Sequence, residues 1–170
     1  MKKINIRNSL IIIFMVTIIG CDQISKIIVR EKLNYHENIS VIDHFITLNK
    51  VENTGAFLGF GDSLPRLIYV ILMIILPLIF LGYALFYVLK SKNLSRMSTL
   101  GISFIIAGGV GNIIDRILFG SVTDFLHFNF VIFQTGIVNM ADISVTTGFF
   151  IILYELLINK GKIDFKIFEK

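Results

Sequence analysis

The chain has 170 residues, 55% of them hydrophobic, with a formal net charge of +4 and a mean hydropathy of +0.80. That balance excludes an ordinary soluble domain and fits a chain that crosses a membrane several times. It also argues against a nucleic-acid partner, because the positive charges fall in short clusters beside apolar segments rather than across a soluble basic face.

No Pro-rich or Gly/Ser-rich linker and no internal repeat interrupts the chain, so residues 1–170 read as a single membrane-embedded domain. Cys21 has no partner for an internal disulfide. His36, His44 and His127 lack the spacing of a metal-binding motif, so neither a metal nor another cofactor is expected.

Lys2, Lys3 and Arg7 make a basic start, after which residues 9–29 are almost wholly apolar. A run of about 20 apolar residues crosses a hydrocarbon core of about 30 Å as a helix. Asp22 and Lys26 interrupt its far end at i,i+4 spacing, so they share a helix face and can pair. IIGC at 18–21 resembles a lipoprotein cleavage motif, but three further apolar spans argue against a secreted lipoprotein.

Residues 33–63 alternate loosely between apolar and polar types and are rich in β-branched and aromatic residues, which predicts a small β-sheet outside the bilayer. Asn53, Thr54 and Gly55 give a turn signal within it. A second span is predicted over 67–89, with Pro77 inside it, and a third over 98–118. The third carries Ala107, Gly108, Gly109 and Gly111, small residues that allow close helix approach. The same turns carry Asn112, Asp115 and Arg116, more polarity than packing requires. Residues 119–138 are an aromatic-rich connection suited to headgroup level, with His127 read as interfacial. A fourth span covers 139–158, followed by Lys160, Lys162, Lys166 and Lys170.

Lys and Arg cluster at the N-terminus, in the connection around Lys90, Lys92 and Arg96, and in the C-terminal tail, whereas the connection between the third and fourth spans has none after Arg116. The positive-inside rule then puts both termini in the cytoplasm. Asp22, Lys26, Asn53, Asn112, Asp115, Arg116, Asp124, Asn139 and Asp142 all fall toward the outer interface. Charged groups are costly in a bilayer, so such a cluster is a functional site by default. Two carboxyls from different elements can share one proton. The ionised one then activates water, and the protonated one polarises a carbonyl and later protonates a leaving amine. Asp124 and Asp142 suit that task. Asp115, beside Arg116, is expected to serve structure, while Lys26 and Arg116 orient loops or hold acids ionised.

DQISK at 22–26, NTGAF at 53–57, GGVGNIIDR at 108–116, VTDF at 122–125 and NMAD at 139–142 together resemble signal peptidase II, the bacterial lipoprotein signal peptidase family. The match covers nearly the whole chain. It implies four transmembrane helices with an extracytoplasmic β-cradle, and a bacterial inner-membrane aspartyl endopeptidase with Asp124 and Asp142 as its catalytic pair. It implies site-shaping roles for Asp22, Lys26, Asn53, Gly55, Asn112, Arg116 and Asn139. The implied substrates are diacylglyceryl-modified prolipoproteins, cut before the modified cysteine; the chain is expected to meet them among membrane lipids and to be monomeric. Phe57 and Val138 depart from frequent family residues, which bears on pocket shape. The competing readings are a four-helix transporter or proton relay, which needs acids through the whole bilayer, and a membrane-anchored scaffold. The inner halves of the four spans look dry.

Overall fold

The computed structural model describes residues 6–43, 45–55, 61–130 and 134–158. Four helices are long and apolar enough to cross a membrane: α1 (Ile6–Lys32), α2 (Arg66–Lys90), α3 (Arg96–Phe119) and α4 (Met140–Ile158). Four strands, β1 (Asn38–Ile42), β2 (Ile46–Asn53), β3 (Val122–Asn129) and β4 (Gln134–Val138), pair antiparallel in the order β1-β2-β3-β4. The helical hairpin of α2 and α3 is inserted between β2 and β3.

The four spans stand where hydropathy predicts them. The first three run one to three residues beyond those bounds because helical backbone continues into polar ends that a lipid-based reading discounts, whereas the fourth starts one residue later, at Met140. The sheet is larger than the sequence suggests. The connection read as an aromatic belt forms β3 and β4, which pair with β2 and so join the two extramembrane segments into one sheet. VTDFLHFN at 122–129 does not alternate cleanly, because residues 122–125 are buried on both faces of the strand, and its aromatic residues suit a strand as well as a headgroup layer.

Large apolar side chains cover the outside of the bundle. Leu67, Ile79 and Phe80 are each at least 65% exposed, and Ile13, Val16 and Ile24 are similarly open. Water would penalise such a surface, whereas hydrocarbon contact leaves it neutral. Inside, α1 presents one stripe at helical spacing: Ile11 and Met15 in its first half, then Asp22, Lys26 and Val29. The first two join an apolar core with Leu81, Val88, Ile106, Ala107 and Ile113.

α3 sits deepest, against α1, α2 and α4. Its glycines set that closeness. A Cβ at Gly108 would strike the Ala141 carbonyl, and one at Gly148 of α4 would strike the Gly101 carbonyl. Gly109 instead faces Leu81 of α2. α2 widens into a π-helical turn at Ile71–Ile75. Pro77 explains it, since its ring lacks an N–H and crowds the carbonyl four residues earlier, at Met73.

Candidate active site

The start of α4 builds one side of the site. Asn139 caps the helix: its Oδ1 accepts the Asp142 N–H at 2.9 Å, while Asp142 Oδ2 accepts the Asn139 N–H at 3.1 Å. This is a reciprocal capping box made by NMAD. It locks Asp142 in the first turn of α4, where the positive end of the helix dipole favours a carboxylate. The next free N–H, that of Ala141, donates to Asp22 Oδ1 at 2.9 Å, so α1 also caps α4.

β3 builds the other side. Successive strand residues face opposite ways. Thr123 accordingly turns toward α1, where Arg30 Nε donates to its hydroxyl at 2.8 Å, and that hydroxyl donates to Glu52 Oε1 at 2.9 Å. Asp124 turns the other way, toward α4. Its Oδ2 accepts from Asn53 Nδ2 at 3.0 Å and its Oδ1 accepts from Asn139 Nδ2. Val51 is paired with Asp124 and Asn53 with Val122, so Asn53 reaches Asp124 as a diagonal cross-strand neighbour.

Asn139 thus touches both acids, and Asn112 extends the link. Asn112 Nδ2 donates to Asp142 Oδ1 at 2.9 Å, and its Oδ1 accepts from Asn139 Nδ2 at 3.2 Å and from Lys26 Nζ at 3.0 Å. The two amides are thereby oriented by partners of known polarity. Asp124 is 4% exposed. Burial, the largest cause, and the Asp142 charge push its carboxyl up to about 6, against the lowering bonds from Asn53 and Asn139 and the Lys26 charge.

Beneath this lies a second layer with balanced charge. Lys26 Nζ contacts Asp22 Oδ2 at 2.9 Å and Asp115 Oδ2 at 3.1 Å, and all three side chains are wholly buried. Arg30 reaches Asp115 at 2.9 Å. Gln23 Nε2 donates to Asp22, Asp115 and the Gly111 carbonyl, and the Thr123 N–H donates to Asp115. Lys26 therefore pairs with Asp22 and Asp115 and not directly with Asp124 or Asp142. Asp115 holds α1 and β3 together through Lys26, Arg30 and the Thr123 N–H, rather than through its neighbour Arg116. Arg116 itself donates to the Gly55 carbonyl at 2.7 Å, and Gly55 N–H donates to Asn53 Oδ1 at 3.1 Å. The NTG turn is thus tied to α3 on one side and to Asp124 on the other.

Asp124 and Asp142 both line a cavity of about 300 Å³, together with Asn53, Asn112, Arg116, Val122 and Val138. Val138 is a wall residue, so its identity bears on the cavity's shape; Phe57 lies outside the described residues, as does His44. Arg116 also borders a second cavity of about 600 Å³ beside Asp62, Arg66 and Tyr69. Among the described residues, no three His, Cys, Asp or Glu side chains gather as a metal site requires. The cation amid Asp22 and Asp115 is Lys26.

The structure brings together all nine residues singled out as site residues: Asp22, Lys26, Asn53, Gly55, Asn112, Arg116, Asp124, Asn139 and Asp142. Sequence reasoning missed Gln23, Arg30, Glu52 and Thr123. Arg30 was open to discovery, since it continues the Asp22–Lys26 face by one more turn. Glu52 and Thr123 required the β2–β3 pairing. The dry inner half is also incomplete: Ser98 Oγ donates to Glu155 Oε2 at 2.6 Å, both buried, at the end of the bundle away from the sheet.

A family model described as signal peptidase (SPase) II matches residues 13–158. The lipoprotein signal peptidase of Maridesulfovibrio salexigens is 36% identical over 150 residues, which cover 88% of this chain and 95% of that protein. That of Staphylococcus aureus (strain Newman) is 32% identical over 156 residues, covering 92% and 91%. A solved structure of a bacterial membrane enzyme aligns with a TM-score of 0.78 at 27% identity, over 95% of each chain. With one model spanning nearly all of the described fold and relatives matched almost end to end, the chain belongs to the signal peptidase II family.

Proposed function

We propose that this protein is an intramembrane aspartyl endopeptidase that removes the signal peptide from diacylglyceryl-modified prolipoproteins, cutting before the lipid-bearing cysteine. Family membership supports signal-peptide removal from lipoproteins as the activity. The observation that carries the mechanism is Asn139, which bonds to Asp124 through its side chain and to Asp142 through its backbone. One residue thereby holds two carboxyls from different elements on the wall of one cavity.

In this mechanism Asp124 carries the shared proton. A carboxyl raised to about 6 keeps a proton where an ordinary aspartic acid has lost it. Asp142 is the base. Both its oxygens accept N–H bonds, and it sits at the positive end of α4, which suits an ionised group. Water loses its proton to Asp142 as its oxygen attacks the scissile carbonyl, and Asp124 donates a hydrogen bond to that carbonyl oxygen. As the tetrahedral intermediate collapses, the C–N bond breaks and the proton passes to the leaving amine. Asn53, Asn112 and Asn139 orient the acids. Asp22 and Lys26 hold α4 and Asn112 in place, while Arg116 positions the turn at Gly55.

The site is assigned to the outer leaflet of a bacterial inner membrane, with both termini cytoplasmic; the clustering of Lys and Arg supports this orientation. A diacylglyceryl cysteine has its scissile bond near headgroup level, the depth this orientation gives to the first turn of α4 and to β3, which carry the acids. The enzyme is taken to act as a monomer without a cofactor.

The test is mass spectrometry of a prolipoprotein incubated with the purified protein, with and without its diacylglyceryl group. The lipidated form is expected to lose the mass of its signal peptide and the unmodified form to stay intact. No cleavage of either, with ion flux in proteoliposomes, would instead support a relay.

A further inference from the structure

The end of the bundle away from the sheet holds a cavity of about 550 Å³ between the first turns of α1 and α3. Arg7 and Arg96 stand at its rim, and Leu10, Phe14 and Leu100 line it further in. Arg7 to Phe14 and Arg96 to Ser103 each span two helical turns, so the groove runs about 10 Å into the hydrocarbon layer. Its wall is preformed, because Phe14 packs edge-on against Phe104 with ring centres 5.0 Å apart.

The rim is cationic, and no described acid pairs with it. Arg7 donates to the Ser91 carbonyl at 3.0 Å and to Thr99 Oγ1 at 3.3 Å, which fixes its guanidinium and leaves further N–H groups free to donate. Arg96 is exposed. Among the described residues no ion pair involves either arginine. The one described acid at this end, Glu155, is buried and occupied by Ser98. Lys90 at the end of α2 and Lys92 in the adjoining connection add to the same field.

We propose that this groove binds one anionic phospholipid, its phosphate between Arg7 and Arg96 and an acyl chain along Leu10, Phe14 and Leu100. A phosphate suits the planar, multi-donor guanidinium, and the apolar groove beneath suits a chain already in the bilayer. Free phosphate would use the rim alone and leave the groove empty. A zwitterionic lipid would bring an ammonium group in among two arginines. This site is independent of the aspartates and of which leaflet they face.

The test is native mass spectrometry of the full chain in neutral detergent, titrated with phosphatidylglycerol, phosphatidylcholine or inorganic phosphate. One phosphatidylglycerol is expected to bind in preference to phosphatidylcholine, and equimolar phosphate is expected not to displace it. Arg96→Gln should weaken phosphatidylglycerol binding about 5-fold and the Arg7→Gln/Arg96→Gln pair about 30-fold, from about 1 kcal/mol per basic residue. Arg96 has an exposed side chain, so its variant remains decisive if loss of the Arg7 contacts disturbs the fold. Leu100→Trp, which fills the groove and keeps both arginines, should also lose the lipid. Equal binding of the two lipids, displacement by phosphate, or wild-type phosphatidylglycerol binding by Arg96→Gln would overturn the proposal.

Discussion

The two halves of α1 share one helix face, yet they are built on opposite terms. Toward its start the face is Ile11 and Met15 in an apolar core; toward the sheet it is Asp22 and Lys26, wholly buried. The apolar half needs only volume and shape to pack. The polar half needs every acceptor matched to a donor, because an unpaired charge there has no water to turn to. Lys26 meets that need with Asp22, Asp115 and Asn112 at 2.9 to 3.1 Å. The contrast shows where the chain has exchanged tolerance for placement: the half that positions Asp124 and Asp142 is the half that cannot be loosely packed.

Breaking the polar half should therefore cost far more than disturbing the apolar one. Lys26→Met leaves Asp22 without a counter-charge and Asp115 with Arg30 alone, and should destabilise by about 3–5 kcal/mol, read as the midpoint shift of unfolding in mild detergent. Met15→Leu, a volume-conserving change on the same helix face, should cost less than about 1.5 kcal/mol. Equal costs would erase the distinction.

The acid pair sharpens it through pH. Because the folded-state pKa of Asp124 is raised, the folded state holds that proton more tightly than the unfolded chain does. The associated stability is complete below pH 3.8 and is lost as pH rises through about 6. The loss amounts to at most about 3 kcal/mol. Asp124→Asn should accordingly be more stable than the wild type above pH 6, in thermal unfolding, while inactive. In the wild type, kcat/KM should fall as pH rises above about 6, as the general acid loses its proton.

Glycines give the finest contrast. A Cβ at Gly111 would lie 2.6 Å from Asp22 Oδ2, a carboxylate already held by three partners. Gly111→Ala should cost about 1–3 kcal/mol and reduce cleavage with it. Gly20, on α1 with nothing within 4 Å of its added Cβ, should tolerate alanine and gain about 0.5–1 kcal/mol.

The helices were legible because hydrocarbon imposes a single rule, length of apolar run, which residues carry locally. The polar cluster was legible because Asp22, Asn112 and Asp142 break that rule at matching depths. What the sequence withheld was pairing. That Thr123 meets Glu52, or that Asn53 meets Asp124 diagonally, depends on the β2–β3 register across the inserted α2–α3 hairpin. β3 itself was hidden because aromatic and β-branched residues serve a strand and a headgroup belt alike. The capping box at NMAD was visible in principle, as an Asn three residues before an Asp at the start of an apolar run.

The measurement that bears most directly on the acid pair is cleavage of a diacylglyceryl-modified prolipoprotein by the wild type, Asp124→Asn and Asp142→Asn, followed by mass shift. Each variant is expected to insert and purify normally and to cleave at least about 10²–10⁴-fold more slowly, since one loses the acid and the other the base. Wild-type cleavage by either variant would contradict the two-carboxyl mechanism.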